Sequence, residues 1–417
     1  MKPPRRWQVG VVAAIAVLAW PLKVSADATV VSSNPQPGDN LASAPVSIEL
    51  EFSEQLNRTF SNADVLTPDG RRFRSEPARD EEIVIPLAGN QRGLYKVEWV
   101  AVSAVDGHVL HGAFDFGVEF APPQAGALER AAPSATDIAA AALRWLEYLG
   151  LIWTIGIMVV RRLAAMPAPI KWARPSLQLA LAAAFVGGLG VIIIESLDAS
   201  GSLPGAIAYL TGDAPGWVRT GRVAAEGAAL LFCLRGIRFV APMALVAAAA
   251  LAFAGHSAGV RPAPGAIFTD TLHVLAAGVW AGGIIALAGL RPPGGWNGVE
   301  GRALLARFGR LALVAFALTA LSGVLLATNE LTGIGDLWAT SYGLVLSAKS
   351  ALVLAMLVLS ALVWRRRLAS ARVEAAVAVA VLAATALLAA YPLPPARVAD
   401  AGAIRDTTAA GDNPTRP

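Results

Sequence analysis

Eight apolar stretches of about 20 residues each run through the last two thirds of the chain, at 138–160, 175–195, 217–236, 240–257, 266–290, 306–328, 342–364 and 375–391. A helix of that length crosses the roughly 30 Å hydrocarbon layer of a bilayer, with every backbone polar group bonded inside its own segment. Only 15% of the 417 residues are charged and mean hydropathy is +0.55, whereas about a quarter of a soluble domain is charged. Residues 138–391 are therefore expected to form an all-α polytopic membrane bundle of about eight transmembrane helices. The stretch at 217–236 is the least regular, because Arg219, Arg222 and Glu226 interrupt it.

Residues 1–26 have the layout of a secretory signal peptide: Lys2, Arg5 and Arg6, an apolar run from Val9 to Leu22, and the small-residue cleavage site Val24-Ser25-Ala26. Cleavage there makes Asp27 the first residue. A domain exported ahead of the first helix sets that helix running from outside to inside. The connections then assigned to the cytoplasm carry 14 basic residues, including Arg161, Arg162, Lys171, Arg174 and Arg365 to Arg367. The outer ones hold Asp198, Asp213, Glu330 and Asp336, with Arg261 as their lone base. This positive-inside pattern predicts a bacterial inner membrane location. The N-terminal domain and a disordered tail, 392–417, would both lie in the periplasm.

Between Asp27 and Phe120 the chain is acidic, 15 Asp and Glu against 7 Lys and Arg. Its apolar residues there repeat every second position, as in half-buried strands. Val46, Ile48, Leu50 and Phe52 alternate with Ser47, Glu49 and Glu51; Tyr95, Val97 and Trp99 form a second run, and Phe114, Phe116 and Val118 a third. Turn residues such as Pro68-Asp69-Gly70 separate the runs. A small antiparallel all-β sandwich over 27–120 is expected, joined to the bundle by a Pro/Ala/Gly linker, 121–137. With no basic stripe outside the membrane, nucleic acid is excluded as a partner. One cysteine, Cys233, excludes disulfides and thiolate clusters within the chain, so a metal must take nitrogen, oxygen or thioether ligands.

The four histidines are His108, His111, His256 and His273. Asp106-Gly107-His108 spaces a carboxylate and an imidazole so that they can converge on one cation, and an open nitrogen–oxygen site favours Cu(II). The same residues also suit a plain turn in which Asp106 bonds the backbone. Asn34-Pro35 with Gly38, the strand Val46–Phe52 followed by Ser53-Glu54, the strand Gly93–Trp99, and Ser103 through Asp106-Gly107-His108 to Gly112 together resemble the CopC copper-resistance domain. The resemblance implies an immunoglobulin- or cupredoxin-like Greek-key sandwich. It also implies a Cu(II) site using the mature N-terminal amine, a first-position histidine, Asp106 and His108. Here Asp27 stands where the family has that histidine, which lowers the expected affinity. His111 is a further candidate ligand, although on an extended strand positions 108 and 111 face opposite sides.

Polar side chains inside a bilayer are functional candidates by default. His256 falls at the outer end of the fourth stretch and His273 near the outer end of the fifth, with Asp270 three residues earlier on the same helical face. Together they form a candidate copper-receiving site, or else each histidine bonds a neighbouring helix. Glu226 is a possible transport-path residue, or the partner of Lys349 in a structural ion pair. Gly255-His256, Asp270 to His273 leading into Trp280 and Gly282-Gly283, Arg307-Phe308 to Arg310, and Tyr342-Gly343 with Lys349 resemble the CopD membrane domain. CopC and CopD domains occur fused in this order, and the resemblance implies movement of copper across the inner membrane.

The expected function is thus copper import, homeostasis or tolerance. The outer domain would capture Cu(II) and the bundle would translocate copper. Copper ions, the lipid bilayer and periplasmic copper chaperones are the expected partners. Neither a catalytic residue nor a nucleotide-binding loop is recognisable, so no enzymatic activity is expected. Two other readings use the same residues: a b-type cytochrome with His256 and His273 as axial haem ligands, and a copper sensor or scaffold that does no transport.

Overall fold

A computed structural model describes residues 28–122, 134–166, 168–253, 255–258, 263–331, 333–366 and 371–391. The expected signal peptide 1–26, Asp27, most of the expected linker 121–137 and the expected tail 392–417 lie outside the described residues, as does the side chain of His256.

Eight strands build the N-terminal sandwich: β1 Val30–Asn34, β2 Asn40–Leu41, β3 Ser47–Phe52, β4 Asn62–Leu66, β5 Arg72–Arg74, β6 Glu82–Pro86, β7 Gly93–Val102 and β8 Val109–Val118. One sheet has the order β1-β3-β6 and the other β2-β8-β7-β4-β5. Every pairing is antiparallel except β2 with β8. The alternation read from the sequence sets the core: Ile48, Leu50 and Phe52 meet Tyr95, Val97, Phe114 and Phe116 between the sheets. Val46 departs from that pattern. It is 85% exposed, one residue before β3 begins and outside the ladder that would turn it inward. Opposite Trp99 in the β7–β8 register stands Gly112, where a Cβ would run into the indole ring.

The helical part comprises α1 Ala135–Ala165, α2 Gln178–Ser200, α3 Leu203–Thr211, α4 Ala214–Leu234, α5 Val240–Phe253, α6 Ala263–Ala288, α7 Val299–Glu330, α8 Asp336–Ala339, α9 Ser341–Arg366 and α10 Ala371–Leu388. Among the described residues five of these, α1, α2, α6, α7 and α9, are long and apolar enough to cross a membrane. The sequence predicts about eight such crossings, and helices do occupy the other three predicted segments. However, α4 contains Arg219, Arg222 and Glu226, and α5 has 14 residues; α10 has 18 largely apolar residues, with Arg372 and Glu374 as its only charges. Leu179, Val186, Ile193, Leu313, Leu321 and Leu354 are exposed on the helices, an apolar surface that requires lipid rather than water.

Small residues set the tightest approaches, as is usual where lipid supplies no hydrophobic drive between helices. Gly150 of α1 lies against the backbone of Ala184, and Gly187 of α2 against the backbone of Glu147, so a Cβ at either position would overlap main chain. The helix α6 contains a π-helical turn at Gly278–Gly282, which packs against Gly156. At the end of α1, Arg307 of α7 donates to the carbonyls of Leu163, Met166 and Ala168 at 2.8, 3.0 and 3.1 Å. Leu163 is a last-turn acceptor that the helix itself leaves unbonded, Met166 is the C-cap and Ala168 lies just beyond it.

Candidate functional site

The Asp106-Gly107-His108 motif is the connection between the two longest strands, β7 and β8. Ser103 organises it: its N–H donates to the His108 carbonyl at 2.9 Å and its Oγ accepts from the N–H groups of Val105 and Asp106. Asp106 Oδ1 accepts from the His108 N–H at 2.9 Å, so the turn bond expected of an Asp in this position is present. Asp106 is buried and His108 half-buried. Thr29 is bonded to Ser53 through N–H and hydroxyl, and Ala104 donates to the carbonyl of Gln55 at 2.9 Å. The start of the domain and the motif therefore share one edge of the sandwich.

That edge rests on the bundle. Tyr209 of α3 donates to the Gly107 carbonyl at 2.5 Å, and Arg219 Nη2 of α4 donates to the Asp106 carbonyl at 2.5 Å while Nη1 donates to the Tyr209 hydroxyl. The Arg219 guanidinium lies 5.2 Å from the Tyr209 ring centroid. Burial pushes the Tyr209 hydroxyl up to about 12, against the opposing pull of Arg219, so it remains a donor at neutral pH. Gly107 has φ +70°, and a Cβ there would stand 2.6 Å from Arg219 Nη1. Glycine is required at this position by backbone conformation and by contact with the bundle alike. Around this contact, Phe60 meets Tyr209 edge-on with centroids 5.5 Å apart, and Asn57 Nδ2 donates to Asp213 Oδ2 at 2.9 Å.

The sequence-predicted ligands are only partly brought together. His111 lies on β8, and its Nε2 is 2.9 Å from Asp198 Oδ2 at the end of α2. This hydrogen bond raises the imidazole pKa above its usual 6.5, against a smaller effect of burial, with further help from the charges of Asp198 and Asp137. Thus His111 serves as a tie between domains, on a different partner from the Asp106–His108 turn. Among the described residues no three His, Cys, Asp or Glu side chains are grouped to hold a metal. A metal held by Asp106 and His108 would need a further ligand from outside that set.

Within the bundle, Asp270 Oδ2 accepts from Ser257 Oγ at 2.9 Å, joining the 3₁₀ turn His256–Ala258 to α6. His273 Nδ1 is 3.1 Å from both the Thr319 carbonyl and Ser322 Oγ on α7. A carbonyl can only accept, so Nδ1 carries the proton and Nε2 presents its lone pair, the form in which a histidine ligates a metal. Lys349 lies within electrostatic reach of His273, Asp270 and Glu330. It does not pair with Glu226, which faces Glu147 and Arg222 across α1, α2 and α4.

The deeper charged groups form a column that sequence reasoning did not assemble. Arg219, Arg222 and Glu226 recur at helical spacing on α4, Arg144 and Glu147 do so on α1, and all five face the interior. Arg144 is ion-paired with Glu195 of α2, and Arg222 Nε lies 2.8 Å from Glu147 Oε1. The signal was visible as two charged stripes, each at a spacing of three to four residues.

Comparisons with known proteins agree with this division of the chain. The CopC domain model matches residues 30–119 and the Copper resistance protein D model matches residues 302–390. Copper transport protein CutJ of Bacillus subtilis is 28% identical over 95% of this chain and 79% of its own length. Protein YobA of Escherichia coli strain K12 is 33% identical over 25% of this chain and 92% of its own length. Copper resistance protein C of Escherichia coli is 36% identical over 21% of this chain and 78% of its own length. Carrying a CopC domain followed by a CopD domain, this membrane protein belongs to the CopC/CopD copper-resistance fusion family.

Proposed function

We propose that this protein imports copper across the bacterial inner membrane, its β-domain capturing Cu(II) in the periplasm and its bundle passing copper inward. The observation that carries the reading is the clamp of Arg219 and Tyr209 on the carbonyls of Asp106 and Gly107. It holds the family's copper-binding motif against the helices, so an ion leaving the motif does so at the surface of the bundle. CutJ, similar over nearly the whole chain, is named a copper transport protein.

In this scheme Asp106 and His108 supply a carboxylate and an imidazole, and Asp27 completes the set with its amine and carboxylate, a mixed donor set suited to Cu(II). His111 stays with Asp198. His256 and His273 receive the ion below, with Asp270 as a further acid on the helix of His273. The two-histidine site serves copper and not haem, in keeping with the family. All eight predicted segments cross the bilayer, α4 doing so because its charges face the interior, and both termini lie in the periplasm. The β-domain keeps the Greek-key connectivity of its family, and periplasmic chaperones deliver copper to it.

The test is copper accumulation in right-side-out membrane vesicles under an imposed copper gradient. Wild-type protein accumulates copper, whereas His108→Ala and the double variant His256→Ala/His273→Ala fall toward the level of vesicles lacking the protein. Unchanged uptake in both variants would overturn the scheme, and net copper loss from wild-type vesicles would overturn its direction.

A further inference from the structure

Two buried acids of the bundle are not used by the copper path described above. Glu147 of α1 is fully buried and Glu226 of α4 is 1% exposed. Both carboxylates point at the same place, Gly188 of α2. A Cβ there would lie 3.2 Å from Glu147 Oε1 and in collision with Glu226 Oε2. The missing side chain is what admits two acids to one notch.

Among the described residues Arg222 is the base in contact with them, its Nε 2.8 Å from Glu147 Oε1, while Arg144, itself paired with Glu195, acts on Glu147 from farther off. The angle there makes an ion contact without a hydrogen bond, and neither oxygen of Glu226 has a hydrogen-bond partner. Two carboxylates against one guanidinium in a water-poor interior leave one negative charge unmatched, and an unmatched buried charge is not tolerated. Like charges sharing a site resolve this by holding one proton between them.

We propose that Glu147 and Glu226 form a proton-binding site over Gly188, carrying one exchangeable proton. Copper does not suit this notch. Its donors are carboxylate oxygens without imidazole or sulfur, and the Arg222 charge repels a metal cation. Other charged groups face it from several elements. Arg144, paired with Glu195, and Arg219 lie toward the β-domain, Tyr148 flanks Glu147 on α1, and Asp270 reaches Tyr148 from α6. The described part of α5 contributes no titratable side chain, Tyr209 of α3 is engaged with Gly107, and Glu374 of α10 accepts from Ser360. The column from the Asp106 carbonyl through Arg219 and the Arg144–Glu195 pair to Arg222 joins this site to the docked motif. Proton movement through the site as the drive for copper rests on the import reading; the proton site itself does not.

Infrared spectra of the protein in lipid nanodiscs, recorded against pH and after exchange into D₂O, test it directly. At neutral pH the wild type should show a carboxylic-acid carbonyl band that shifts in D₂O and is absent from E147Q and from E226Q. Gly188→Ala, which crowds the notch and keeps both acids, should move the band. Absence of the band in wild type, or its survival in both glutamine variants, overturns the site. In proteoliposomes with a trapped pH indicator, copper uptake by wild type should be accompanied by a proton signal that E226Q lacks. Copper uptake without that signal overturns the coupling. A band in place with no copper uptake overturns the import reading and leaves the proton site standing.

Discussion

Replacing Gly107 by alanine separates the two demands placed on this residue. Its φ of +70° imposes on any residue with a Cβ a cost of about 1–2 kcal/mol. Gly70 shares that cost: it has φ +83°, but a Cβ there meets nothing within 4 Å. Gly107→Ala adds a collision, because the new methyl stands 2.6, 2.9 and 3.0 Å from Nη1, Nη2 and Cζ of Arg219. The guanidinium must withdraw and give up its bond to the Asp106 carbonyl, a charged hydrogen bond worth about 1.5–3 kcal/mol. The docked state should therefore weaken roughly tenfold to a hundredfold, while Gly70→Ala leaves docking untouched and destabilises only the β-domain. Hydrogen–deuterium exchange in nanodiscs reads the difference, since peptides covering 103–111 and 203–219 should exchange faster in Gly107→Ala alone. Equal protection of those peptides in the two variants would refute the clamp.

Further outcomes follow from the other contacts. Because its partner raises the His111 pKa, protonated His111 favours docking: its contribution is complete below the undocked value near 6.5 and fades as pH rises through the higher docked one. Both groups are partly exposed, so the effect should stay below about 1 kcal/mol. Exchange of β8 and the end of α2 should rise modestly in alkali, and His111→Gln should abolish that pH dependence. Asp213 caps α4 through the Gly216 N–H at 2.8 Å and also accepts from Asn57. Asp213→Ala should cost about 1 kcal/mol more than Asn57→Ala, the usual worth of an N-cap, measured as the difference in thermal midpoint. Arg307→Ala frees three carbonyls at the end of α1 and should lower the thermal midpoint by the equivalent of about 1–3 kcal/mol, without altering copper binding by the β-domain.

Much of the architecture was written in periodicity. A two-residue repeat placed Ile48, Leu50 and Phe52 in one core with Phe114 and Phe116, because a strand has two faces and water wets only one of them. Val46 continued the repeat in sequence but not in space, since register ends where the partner strand ends. Apolar length located the helices, and among the described residues length and composition mark five crossings. The charges that remove α4 from that count are a stripe turned inward, and a hydropathy average cannot distinguish a stripe from an interruption.

The site was less legible, for a related reason. Spacing along the chain relates residues on one element, which is how Asp106 was linked to His108 and Asp270 to His273. It cannot relate Gly107 to Arg219 or Glu147 to Glu226, which meet only because helices and sandwich pack in a particular way. Arg219 read as an interruption of a membrane span, and nothing in the spacing singled out Tyr209. What each lacked was a partner, and a buried charge or hydroxyl without one is the anomaly to pursue, because lipid and protein interiors alike exact its satisfaction. Arg219, Arg222 and Glu226 on one face of an otherwise apolar helix therefore imply in advance that opposite charges and acceptors stand on the elements beside it. Arg144, Glu147 and Glu195 on α1 and α2 supply most of that complement, and the docked β-domain motif supplies the rest through the carbonyl of Asp106.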